Sequence, residues 1–156
     1  LFVFRPLLTD LAKDWEGENI KEFTDIVKKM MILIGALTIA ACVGAYLLGI
    51  PILSLVYGVD LRAYRMELVI IMICGGLNAY VYCLYYVVTV TGKQIFLLLG
   101  YGAGLIFAVF LGSSFVKSLG MLGAALSCTL SFGVVFIVFL IITSCVVKDR
   151  KKKTEV

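Results

Sequence analysis

The sequence predicts an all-α, polytopic membrane helix bundle, and two observations carry that prediction. Four apolar stretches, Met30 to Leu48, Leu68 to Val90, Ile95 to Val116 and Met121 to Val147, contain no charged side chain. Each approaches or exceeds the roughly 20 residues a helix needs to cross a ~30 Å hydrocarbon layer. The chain of 156 residues is also 62% hydrophobic with a mean hydropathy of +1.09. Soluble domains are about 45–50% apolar, and a fold of this length cannot hide so much apolar surface from water.

The charges are placed unevenly around these stretches. If each crosses once, eleven of the fourteen Lys and Arg fall on the side of the two ends and the Gly92-Lys93-Gln94 turn. The other side holds Arg62, Arg65 and Lys117. The positive-inside rule makes the rich side cytoplasmic, with the C-terminus inside. A net charge of +4 distributed in this way does not form the aromatic and basic stripe of a nucleic-acid surface, so no nucleic-acid partner is expected.

The chain opens Leu1-Phe2-Val3-Phe4-Arg5-Pro6, which lacks the basic segment and cleavage site of a signal peptide. Residues 1–6 are expected to end a truncated transmembrane helix, making the chain the C-terminal part of a longer polypeptide. Residues 7–29 form the main polar segment, expected to be a cytoplasmic amphipathic linker. Within it Thr9 and Asp10 offer a helix cap. Ile20, Phe23, Ile26, Val27 and Met30 share one helical face, opposite Lys21, Glu22, Asp25 and Lys28. That helix is expected to run into the first span, with an Asp25–Lys29 i,i+4 pair and Trp15 as an interfacial anchor.

Residues 30–147 are assigned to four transmembrane helices. After the first, Gly49 and Pro51 are expected to break the helix, leaving a short interfacial turn up to Gly58. Val59 to Glu67 forms a loop, and the turns at Gly92-Lys93 and Lys117 to Gly120 are short enough to require antiparallel neighbours. Residues 148–156 form a basic cytoplasmic tail.

Two kinds of constellation stand out inside the spans. Gly100, Gly104, Ala108 and Gly112 recur every four residues, and Gly123, Ser127 and Ser131 do so in the last span, as do Ala36, Ala40 and Gly44 in the first. Such ridges let membrane helices approach closely, so helix packing is their expected role. In the second span Asn78, Tyr82, Tyr85 and Thr89 fall within an arc of roughly 60° at about 100° per residue. An unpaired amide costs several kcal/mol in hydrocarbon, so this arc is expected to face the bundle or a wet cavity. It serves as an interhelical hydrogen-bond seam or as a lining for a polar substrate.

Cys42, Cys74, Cys83, Cys128 and Cys145 lie in or at the ends of apolar spans with no CxxC pair, and there is no His. They read as small packing residues; no metal and no cofactor is expected. No charged side chain within a span offers a proton relay, and no nucleophile–base pair or phosphate-cradling motif appears, so an enzyme is not expected.

The order of elements resembles the C-terminal third of a bacterial polysaccharide flippase of the multidrug/oligosaccharidyl-lipid/polysaccharide exporter superfamily. The resemblance rests on Phe4-Arg5-Pro6-Leu7-Leu8-Thr9, the charged linker ending in Phe23 and Lys28-Lys29, the run Gly49 to Gly58, and Leu119-Gly120-Met121-Leu122-Gly123-Ala124-Ala125-Leu126-Ser127. It implies two six-helix lobes around a central cavity, of which this chain supplies roughly the last four helices. It also implies a lipid-linked oligosaccharide substrate, the bacterial cytoplasmic membrane, and the remainder of its own chain as partner. On that view Asn78, Tyr82, Tyr85 and Thr89 line the cavity and Arg5 sits at its mouth. A multidrug or peptidoglycan-precursor exporter, or a non-transporting membrane scaffold, are the alternatives.

Overall fold

A computed structural model describes Trp15, Gly17, and residues 20–92 and 94–154. Among these residues the regular structure is entirely helical. α1 (Ile20–Gly44) passes through a π-helical turn at Ala45–Gly49 into α2 (Ile50–Tyr57). A single 3-10 turn, Arg62–Tyr64, leads into α3 (Arg65–Val90), and α4 (Ile95–Thr154) completes the chain. Three continuous helical segments, Lys21–Tyr57, Arg62–Val90 and Ile95–Lys148, are long and apolar enough to cross a membrane.

Pro51 does not break the first segment. Its ring fixes φ near the helical value, and the harm it does comes from a lost N–H and a clash with the carbonyl one turn back. The wider π turn directly before it opens the ladder there, so Pro51 enters α2 in its first turn and the helix carries on. The stop comes at Gly58, whose φ of +66° is left-handed and whose N–H donates to the Ser54 carbonyl at 2.9 Å. Leu61 N–H then donates to Ser54 Oγ at 3.3 Å, closing the turn.

α4 is two arms rather than one rod. Gly120 has φ +57° and ψ −129°, values no helix tolerates, and it divides the element into residues 95–119 and 121–154. Across the break, Gly100 faces Phe139, Gly104 faces Val135, Gly112 faces Ser127 and Gly123 faces the Phe115 carbonyl. One number rises as the other falls, so the arms are antiparallel and fold back at Gly120. A left-handed residue at the bend explains why glycine stands there.

α3 is the centre of the bundle. It runs antiparallel to α1, with Tyr80 against Gly35, Gly76 against Thr38 and Leu68 against Gly49. It runs parallel to the C-terminal arm of α4, where Cys74 meets Cys128 and the Tyr80 and Phe136 rings lie 5.5 Å apart. Val81, Leu84 and Val88 of α3 join Leu97, Val135 and Phe139 of α4 in the main core cluster. At the end of the bundle near Ile20, Phe23 and Val27 pack with Val87 and Val146. Trp15 joins that cluster, its ring 5.1 Å from Phe23, so it is packed in the bundle end.

The rim of α1 is amphipathic. Phe23, Val27, Met30 and Ile34 are buried, and Lys21, Glu22, Asp25, Lys28 and Lys29 are exposed. Asp25 and Lys29 form no ion pair; among the described residues the one salt bridge joins Arg62 to Asp60 at 3.8 Å. Outward-facing side chains such as Leu37, Leu105 and Phe110 are 63%, 67% and 74% exposed. Exposed apolar surface on that scale requires hydrocarbon or further protein against it.

Candidate polar face and helix contacts

At about 100° per residue, the seven buried residues of α3 (Cys74, Gly76, Val81, Cys83, Leu84, Val87 and Val88) fill one half of the helix. Asn78, Tyr82, Tyr85 and Thr89 occupy the other half. Their arc therefore points away from most of the packed interior, and only Tyr85, at its edge, packs against the Phe139 cluster. Tyr82 is 55% exposed, while Asn78, Tyr85 and Thr89 are half-buried. The Thr89 hydroxyl donates to the Tyr85 carbonyl of its own helix at 2.8 Å. Among the described residues, no hydrogen bond is made by the side chain of Asn78, Tyr82 or Tyr85.

What gathers beside the arc is aromatic. The Tyr85 and Tyr86 rings meet edge to face at 5.5 Å, and Tyr85 packs against the cluster of Phe139, the residue that Tyr101 of the first arm of α4 also meets. Tyr101 stacks edge-on against Phe139 at 5.3 Å, which holds its ring at the margin of the core while leaving it 40% exposed. Sequence periodicity had no means to add Tyr101 to the α3 arc, because the two residues belong to different helices. The result is an open face with four phenols and one amide, apolar in its ring planes and polar at its tips.

The small residues of α4 meet large ones at three positions and one another at Gly112 and Ser127. A Cβ at Gly100 or Gly104 would occupy the space of the Phe139 ring or the Val135 side chain. One at Gly123 would occupy that of the Phe115 carbonyl. Ala108 and Ser127 line a groove of about 540 Å³ between the arms, together with Tyr101 and Cys128. The Ser127 and Ser131 hydroxyls both donate to carbonyls of their own helix, at 2.9 and 2.8 Å, so neither ties the arms together. The stripe of the first span behaves otherwise: Ala36 and Ala40 are exposed and nothing lies within 4 Å of a Cβ at Gly44. The close approach of α1 to α3 uses Gly35 and Gly76 instead.

Cys74 and Cys128 approach to 3.4 Å between their sulfurs. Cys83 is buried in a cluster with Met30 and Ile34. Among the described residues no three His, Cys, Asp or Glu side chains gather as a metal site. Arg5 lies outside the described residues, as do Thr9 and Asp10.

No family model, no curated protein and no solved structure matches this chain. The length and hydropathy of its helices mark it as a multi-pass membrane protein.

Proposed function

We propose that the protein is a flippase that carries isoprenoid-linked oligosaccharide units across the bacterial cytoplasmic membrane by alternating access. The observation that carries this reading is the open face of Asn78, Tyr82, Tyr85 and Tyr101. Left against lipid, an unpaired amide and several phenols would be costly. A hydrated path that passes sugar hydroxyls satisfies them, and tyrosine rings offer the flat apolar surface that sugar faces stack on.

The rest of the architecture suits this role. Counting the arms of α4 separately, four helices thread the membrane, and the charge bias sets the ends of the chain and the basic tail in the cytosol. The remaining wall of the path belongs to the remainder of the same protein, which rocks against this lobe. The isoprenoid tail stays in lipid beside the exposed apolar side chains.

The experiment is transport by the full-length protein. Deleting the gene makes lipid-linked oligosaccharide accumulate on the inner leaflet. Substituting Asn78→Leu together with Tyr82→Leu lowers outward transfer about tenfold, the value of one or two hydrogen bonds, while the amount of protein in the membrane is unchanged. Undiminished transfer by that variant removes the lining role, and no inner-leaflet accumulation in the deletion removes the flippase reading.

A further inference from the structure

At the end of the bundle opposite Ile20, the junction of α2 and α3 carries an open cleft of about 790 Å³, within the size range of small-ligand sites. Pro51 and Leu55 form an apolar wall, and Ser54, Asp60, Arg62 and Arg65 form a polar one. Two of the three basic residues that the charge bias leaves on this side therefore converge on a single cleft.

The guanidinium groups have unused donors. Arg65 Nε is sealed from solvent and has no hydrogen-bond partner, although its guanidinium is steadied over the Tyr46 ring, 5.2 Å from the centroid. Sealed as it is, Nε cannot itself meet a ligand, so an acceptor in the cleft bonds the Nη groups of the guanidinium. The Arg62 N–H donates to Asp60 Oδ1 at 3.1 Å, but its guanidinium makes only the long contact with that carboxylate, both side chains being largely exposed, and such a pair contributes little. The Ser54 hydroxyl oxygen already accepts from Leu61 N–H, which leaves its proton free to donate. Glu67, also close in sequence, does not line the cleft. Two guanidiniums against the single carboxylate of Asp60 leave a net positive site, and forked donors of this kind match the oxygens of a phosphate.

The level of the cleft narrows the ligand. The charge-free run of α3 begins at Leu68, less than one helical turn after Arg65, so Arg65 sits where a hydrocarbon layer gives way to headgroups. Leu47 and Leu48 of the π turn, 62% and 60% exposed, continue the surface toward the apolar side. We infer that this cleft binds the phosphate group of a membrane lipid, with its chains along the π turn and the end of α1 and its phosphate between Arg62 and Arg65. This inference does not depend on the flippase reading and can fail separately from it.

The test is native mass spectrometry of the full-length protein in detergent with three probes: dioleoylphosphatidylglycerol, dioleoylglycerol and inorganic phosphate. The phosphatidylglycerol is retained and the other two are not. Arg65→Gln, and independently the exposed Arg62→Gln, each weaken retention about tenfold. Equal retention of dioleoylglycerol would mean an apolar groove without phosphate recognition, and equal binding of inorganic phosphate would mean a free-anion site. Either result overturns the assignment, as does unchanged retention by Arg62→Gln, a surface variant whose folding is not in question.

Discussion

Replacing Gly123 by alanine isolates the contact that closes the α4 hairpin. A Cβ there would fall on the Phe115 carbonyl and close to its carbon, at 2.5 Å. Backbone atoms cannot swing aside as a flexible side chain does, so the arms must part. Overpacking of this kind costs about 1–3 kcal/mol. Alanine also favours a helix over glycine by about 1 kcal/mol, which offsets part of the cost. Gly133, in the same arm, provides the control, because nothing lies within 4 Å of a Cβ placed there. Both substitutions share the propensity gain, so the difference between Gly123→Ala and Gly133→Ala reports the steric cost alone. At about 2 kcal/mol it is a factor of about 30 in the unfolding equilibrium. Reversible unfolding in mixed micelles by a denaturing detergent measures it. Equal stability of the two variants would refute the close approach of the arms near Gly120.

The other predictions address the centre of the bundle. Mild oxidation of membranes with copper phenanthroline joins Cys74 to Cys128, whose sulfurs lie 3.4 Å apart, giving a mobility shift that is lost in Cys74→Ala or Cys128→Ala. A shift that persists in either variant would place another pair together. Phe139 has no exposed surface, and Phe139→Ala opens a cavity in the α3–α4 core. Because lipid is as apolar as this core, the cavity cost dominates: ~24 cal/mol per Å³ over roughly 100 Å³ gives about 2 kcal/mol. The same substitution at Phe110, which is 74% exposed, changes stability by less than about 0.5 kcal/mol in the same unfolding assay. Equal losses at the two positions would show that Phe139 is not in a packed core.

Some of this architecture was legible in the sequence because it depends on local causes. Charge-free runs fix the long apolar helices, and Gly58, Gly92 and Gly120, all at positive φ, punctuate them. Phe23, Val27 and Met30 share a face by spacing alone. Pro51 misled because its effect depends on the turn before it, and a π turn is not written in residue types. The polar arc of α3 was legible only as a grouping. Periodicity shows that Asn78, Tyr82, Tyr85 and Thr89 stand together, but not which neighbour that side of the helix meets.

The same distinction applies to the sites. Arg62 and Arg65 were visible only as charges on the poorer side, and Tyr46 as one tyrosine in an apolar run. Folding set the Arg65 guanidinium over the Tyr46 ring and turned two loop charges into a cleft. Likewise Cys74 and Cys128, 54 positions apart, meet because α3 and the last arm run parallel. The sequence by itself determined that long apolar helices form, since backbone hydrogen bonding and hydrocarbon solvation act on each segment alone. Which small residues touch, where the tyrosines open and what the arginines line was decided by the tertiary structure, because those outcomes depend on the rotation of each helix against its neighbours.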